Sequence, residues 1–407
     1  MQASKTHWAS ILILIAMGMG SLVFLTSSLA TGITSIIYLF DDTADPAGLM
    51  IRSFATGFEL IILLICAWFV LQKAMQKDEA DRPMQLSFQT WLAFAIPILV
   101  LACIGVGAAI AFSEVKWLGW LTLPTLTLPV ILLPILFFFR MGTQGIGLAS
   151  RWEVAGVLGL GMTVGPFLMI FLEIITLAFL VLVAVFSISA QPELVTELAR
   201  LADLINAGMS EEAIVELLAP YLTQPLVITG VLVYLAFIVP LIEELLKPLG
   251  VWLFAKGIDS PASGFALGML SGGVFALIES LNASGDGSLG WPAIVSVRAG
   301  TSLLHMATSG LMGYAIVRLF REKRPGPMLV TYLACVALHG LWNASAVFVG
   351  LGSIGEMLGK PEWLWQFVPA GALGIAVLGL GMLFVLIAAN RKLRSPAPQE
   401  VATSEKG

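Results

Sequence analysis

Charge is the scarcest commodity in this 407-residue chain: Asp, Glu, Lys and Arg together make up 12% of it, against about 25% in soluble globular proteins. There are three cysteines, Cys66, Cys103 and Cys335, and all lie inside apolar runs. That placement argues against a disulfide framework or a thiolate metal site and leaves them as small buried hydrophobes. No basic groove or patch is visible, so nucleic acid is not an expected partner. Soluble-enzyme signatures are missing as well. His-Glu-x-x-His, a Walker loop and a Gly-x-Ser-x-Gly elbow do not occur, and Gly107 and Gly145–Gly147 lack the strand–helix context of a nucleotide site. Asn282-Ala283-Ser284 and Asn343-Ala344-Ser345 match the glycosylation sequon, and both are read as accidental.

Apolar sequence takes up the space that charge vacates. Hydrophobic residues make up 58% of the chain and the mean hydropathy is +0.95, which predicts an all-α, polytopic integral membrane protein. A span needs about 20 apolar residues. Ten stretches qualify, at roughly 9–39, 54–72, 88–112, 117–139, 154–188, 225–255, 261–281, 293–319, 327–350 and 366–389. Ser28-Leu29-Ala30 resembles a signal-peptidase site, but the apolar run continues to Phe40, so the first span is read as uncleaved. Lys73, Lys77, Arg82, Arg140, Arg151, Lys256, Arg321, Lys323, Arg324, Arg391, Lys392 and Arg394 all fall in alternate loops. Those loops share one side if both termini do, and the positive-inside rule makes that side cytoplasmic. The opposite side receives Asp41 to Asp45 and the acidic stretch 191–224, whose leucine spacing predicts two short amphipathic helices joined near Gly208, the second starting at Ser210. The expected division is 1–224 with this insertion, a polar-bearing core 225–350, a last span within 351–390 and a disordered tail 391–407.

Ionisable residues inside the spans are unevenly distributed. The first half has chiefly Glu59 and Glu173, read as structural hydrogen-bonding groups. The stretch 225–350 has Glu243, Glu244, Lys247, Glu279, Arg298, His305 and His339. A charge at bilayer depth costs roughly 2.5–3.5 kcal/mol, so such groups face protein or water and mark a functional site by default. On a helix, Lys247 can serve both Glu243 and Glu244; Arg298 and His305 share a face, as do His339 and Asn343. This inventory suits water activation by a carboxylate, with histidine or asparagine relaying protons or stabilising an oxyanion. It equally suits a zinc ion held by two histidines and glutamate, or the proton relay of a transporter or channel, or an inert scaffold for partner helices.

Glu243-Glu244-x-x-Lys247, Phe275-x-x-x-Glu279, Arg298 through His305, and His339-x-x-Trp342-Asn343, in that order, resemble the PrsW family of intramembrane proteases. That family is grouped with the CAAX prenyl endopeptidases and bacteriocin-processing membrane proteins. The resemblance spans about 225–350 and implies a bacterial inner-membrane endopeptidase that cleaves a membrane protein or peptide such as an anti-sigma factor. Carried over by position, Glu243 and Glu244 activate water. Glu279, His305 and His339 become metal ligands (for zinc) or proton and oxyanion partners, and Asn343 orients substrate; Lys247 and Arg298 support them. The confinement of polar groups to one half favours a protease over a transporter with paired repeats. One depth mismatch is foreseen. From Pro225, Glu243 lies about 27 Å along a helix, close to the inner face, while His305 and His339 lie nearer mid-membrane and Glu279 near the outer face. The sixth span is therefore expected to run about 233–255, with the seventh starting later or tilting and Lys247 inside the bilayer.

Overall fold

The structure, a computed structural model, describes residues 7–394 apart from 42–44, 86–88, 90, 190–191, 207–210, 223, 286, 288 and 358–361. Among the described residues ten helical stretches are long and apolar enough to cross a membrane, two of them interrupted, and no strand forms. The protein is an all-α polytopic membrane protein. The helices are α1 (Trp8–Tyr38), α2 (Pro46–Ala74), α3 (Leu92–Phe112), α4 (Lys116–Thr143), α5 (Arg151–Met162), α6 (Val164–Ser189), α7 (Pro192–Asn206) and α8 (Glu211–Leu222). They continue with α9 (Pro225–Val233), α10 (Val239–Leu246), α11 (Leu249–Phe254), α12 (Pro261–Ala283), α13 (Trp291–Glu322), α14 (Pro325–Met357), α15 (Glu362–Trp365) and α16 (Phe367–Leu393).

Two units emerge from the packing, one made of 1–163, 248–328 and 382–407, the other of 164–247 and 329–381. The boundaries fall inside apolar spans, so the division differs from the expected one, and the polar-bearing stretch 225–350 is shared between the units. Local chemistry explains where the chain breaks. The expected fifth span is interrupted at Thr163, which leaves helical geometry with φ −122° and ψ −80° after a glycine-rich turn. Its hydroxyl donates to Gly159 O at 2.7 Å, occupying a carbonyl that the interrupted ladder releases.

The first unit is built around two close approaches. Trp291 at the start of α13 is fully buried and donates through Nε1 to Thr127 Oγ1 of α4 at 2.9 Å. Its ring lies where a side chain on Gly107 of α3 would stand: an added Cβ there would be 2.2 Å from the ring. Ile51, Val100, Leu123, Val130 and Val295 complete this core. Trp291→Phe deletes the hydrogen bond and leaves the space of the outer ring atoms empty, so a thermal melt is expected to show more destabilisation than the ~1 kcal/mol of the hydrogen bond alone. The second approach is that of α12 to α13. Gly264, Gly268 and Gly272 recur every four residues, and a Cβ on each would stand 2.7, 2.1 and 2.2 Å from the carbonyl oxygens of Gly313, Ser309 and His305. Small residues at this spacing let helix backbones touch in a membrane. The contact fixes the height and rotation of the turn that carries His305.

In the second unit the sixth span is segmented by its prolines. Pro240 has no N–H to give to Ala236, and the ladder widens into a π turn over Tyr234–Ile238, in which Val239 N–H reaches back to Tyr234 O. The next proline, Pro248, ends α10. The helix nevertheless starts at Pro225, so the expected start near 233 is not where helical structure begins. The second span also starts earlier than expected, at Pro46, because Asp45 caps it by accepting from the N–H groups of Ala47 (2.9 Å) and Gly48 (3.2 Å). The insertion holds the two expected amphipathic helices, α7 and α8; Gly208 and Ser210 lie outside the described residues. Tyr221 of α8 donates to Glu197 of α7, and that hydrogen bond raises the phenol above its ordinary range. The tail 395–407 is likewise outside the described residues.

Candidate active site

The widened turn creates the first half of the chemistry. With Pro240 and the π turn in place, the carbonyls of Leu235 and Ala236 lose their helical donors, and α14 covers them. Asn343 Nδ2 donates to Leu235 O at 2.9 Å. Gly340 packs so closely that a Cβ on it would lie 2.1 Å from Ala236 O. Tyr332 donates its hydroxyl to Leu241 O at 2.7 Å. Tyr332, His339, Gly340 and Asn343 occupy one face of α14, so the contacts that satisfy the broken backbone also present His339 to α10.

There, Glu244 Oε1 is 2.9 Å from His339 Nδ1 and 3.0 Å from Lys247 Nζ. Lys247 Nζ also lies 2.8 Å from Glu243 Oε2, an ion pair without hydrogen-bond alignment. His339 Nε2 faces the same Glu243 oxygen at 3.7 Å. Glu244 and Lys247 are fully buried by side chain, and Glu243 keeps 12% exposure. Nδ1 lies farther from the donor-only Lys247 Nζ, at 3.3 Å, than from the carboxylate, so we assign the ring proton to Nδ1. Removing Lys247 would leave two adjacent buried carboxylates uncompensated, and breaking a buried pair in this way costs about 3–5 kcal/mol. Glu244 Oε2 is buried with no hydrogen-bond partner among the described residues. An anionic oxygen in that condition is a place for a water molecule.

The first unit carries a second cluster. Glu279 of α12 accepts from Arg298 Nη1 through Oε1 at 2.6 Å and pairs through Oε2 with His305 Nε2 at 2.9 Å. Phe275, one turn before Glu279, packs edge-on to the His305 ring with centroids 5.0 Å apart. Both oxygens of Glu279 are therefore committed, and His305 is held in place by a carboxylate, an aromatic edge and the backbone contact at Gly272. Arg298→Gln would loosen Glu279 and with it the ring it orients. Losses at such outer partners typically run to about 10–100-fold, so the activity of this variant is expected to fall in that range while folding persists.

All eight residues singled out from the sequence thus fall into these two clusters: Glu243, Glu244, Lys247, His339 and Asn343 in one, Glu279, Arg298 and His305 in the other. Sequence reasoning missed Tyr332 and the partner of Asn343; the signal that could have found them was Pro240, which obliges a neighbour to serve the carbonyls it strands. One expectation fails. Glu59 was read as a structural hydrogen-bonding residue, yet it is fully buried and neither carboxylate oxygen has a hydrogen-bond partner among the described residues.

The family model described as PrsW family intramembrane metalloprotease matches residues 149–387, more than half of the chain. The chain belongs to the PrsW family. It is accordingly an intramembrane protease, a hydrolase acting on membrane proteins, and the family description makes it a metalloprotease. The match begins at the start of α5 and runs well into α16, so it takes in more of the chain than the four polar motifs. Among curated proteins and solved structures, none matches.

Proposed function

We propose that this PrsW-family protease hydrolyses a peptide bond of a membrane-anchored protein with water activated by Glu244. The observation that supports this most directly is the asymmetry of that carboxylate. Oε1 is fixed by Lys247 and His339, while Oε2 is buried without a hydrogen-bond partner among the described residues. A water donating to Oε2 gives up its proton as its oxygen attacks the scissile carbonyl. Lys247 gives Glu243 and Glu244 a counter-charge, His339 is oriented by Glu244, and the proton taken up at Glu244 Oε2 then passes to the leaving amine. Asn343 spends one amide hydrogen on Leu235 O and has a second for the developing oxyanion.

The donor set fits a metal ion. A ligating histidine characteristically gives its other ring nitrogen to a carboxylate, and both intramembrane histidines do so, His339 to Glu244 and His305 to Glu279. In the second unit His339 through Nε2 and Glu243 through Oε2 would serve it as donors, and nitrogen and carboxylate donors suit zinc. Glu279 was expected as a ligand; with its oxygens committed to Arg298 and His305, we assign it the orienting role instead. When bound, the metal would polarise the attacking water and the scissile carbonyl.

The proposed setting is a bacterial inner membrane with both termini in the cytoplasm, an anti-sigma-factor-like protein as substrate, and kinship to the CAAX prenyl endopeptidases. The orientation draws support from the first unit. There the segment 82–84 pairs with 149–151, Asn390 donates to Gly142 O and Gln144 O, and Arg321 donates to Ile258 O, which gathers the basic loops at one end. At the other, Asp45 accepts from Gly287 N, and Lys116 donates to Asp41 O. The test is reconstitution of the purified chain into liposomes with a single-span substrate. Cleavage without ion flux is expected; flux without cleavage would replace the hydrolytic reading with a proton relay.

A further inference from the structure

In the first unit, the end that gathers the basic loops is shaped as well as charged. Segments 82–84 and 149–151 run antiparallel, with Met84 N–H donating to Ala149 O and Arg151 N–H to Arg82 O, both at 3.0 Å. Two clefts, of about 360 and 470 Å³, open on either side of this short ladder and share Met84 and Gln85 as a common wall. Arg82 and Arg151 line one, together with Phe69; Arg140 lines the other, together with Phe139. Both clefts therefore pair guanidinium groups with apolar walls.

The placement of these cations is not what local stability would choose. Arg151 is the first residue of α5, where the helix dipole disfavours a positive charge. The nearby acids are already engaged. Glu153 closes the capping box on Ser150, accepting from its N–H at 3.0 Å. Asp81 is paired with Lys73 at 2.7 Å. Glu79 lies 3.5 Å from Arg82 in an exposed pair of little strength. Arg140 donates to Gln89 O. A phosphate seated at this point would meet guanidinium groups that bind it in bidentate fashion, and at Arg151 it would also meet the positive end of a helix. Phe69 and Phe139 belong to the last turns of membrane-spanning helices, so the apolar walls continue toward the bilayer.

We propose that each cleft binds the phosphate of an anionic phospholipid, at Arg82 and Arg151 in one and at Arg140 in the other, with acyl chains lying along Phe69, Met84 and Phe139. The bilayer supplies this ligand, and basic pockets between transmembrane helices are suited to such headgroups. The site involves none of the residues assigned to hydrolysis.

The test uses the full chain, purified in detergent and stripped of lipid, with phosphatidylglycerol and phosphatidylcholine of identical chain length as probes. Wild type is expected to bind phosphatidylglycerol at least about tenfold more tightly than phosphatidylcholine. The variant R82Q/R140Q/R151Q should lose that preference, and R82K/R140K/R151K should keep part of it, since charge persists while the bidentate fork is lost. K323Q/R324Q, which removes two cations from a different loop, should behave as wild type. Equal binding of the two lipids by wild type would overturn the proposal, a result that needs no variant to fold. So would an undiminished preference in the glutamine triple variant, or an equal loss in K323Q/R324Q. Inorganic phosphate is expected not to compete at millimolar concentration; competition matching that of the lipid would assign the site to a soluble phosphate and refute the lipid reading.

Discussion

Stripping divalent metal from the purified protease is expected to lower cleavage by more than about 100-fold, because a Lewis-acid metal contributes several kcal/mol to transition-state stabilisation. Added zinc should restore activity. The expectation follows from how the two intramembrane histidines are held. Each gives one ring nitrogen to a glutamate, at 2.9 Å in both cases, which fixes the ring and sharpens its basicity as a ligand. Two further readouts separate metal loss from unfolding. Metal analysis should find about one equivalent per chain in wild type, and His339→Ala should lose it. Zinc added to stripped protein should also raise the melting temperature, since a ligand that binds only the folded state stabilises it by mass action. Full activity in metal-free protein would remove the metal from the account and leave hydrolysis to the glutamates and histidines alone.

Much of this architecture could be read from the chain. Spans are legible because lipid demands about 20 apolar residues in a row, and the ten expected spans match the ten candidate helices. Glu244 and Lys247 were legible as partners because three residues make nearly one helical turn, and their 3.0 Å contact follows from that spacing. His339 and Asn343 were likewise placed on one face. What hydropathy could not convey was the interruption of spans. The run from Pro225 to Phe254 reads as one span by hydropathy despite Glu243, Glu244 and Lys247, yet its π turn decides which carbonyls Asn343 and Gly340 must cover. The two-unit division was hidden for the same reason, since its boundaries at residues 163 and 247 fall within apolar sequence. Glu59 shows the opposite failure. A carboxylate in a span was read as hydrogen-bonded on general grounds, and only the packing around it decides that question.

The other large effect expected is on the proposed base itself. Glu244→Gln preserves size and can still accept from Lys247 and His339, so the fold should survive, with Glu243 remaining as a counter-charge for Lys247. An amide cannot take a proton from water, and loss of a general base typically costs 10²–10⁴-fold. Glu173→Gln, which changes a span carboxylate outside both clusters, serves as the control and is expected to cleave at the wild-type rate. The most direct measurement is therefore the rate of cleavage of a single-span substrate in liposomes by wild type, Glu244→Gln and Glu173→Gln at matched protein content. The account predicts that only Glu244→Gln slows, by about 1,000-fold, with its melting transition retained. Cleavage by Glu244→Gln at the wild-type rate would contradict the assignment of Glu244 as the residue that activates water.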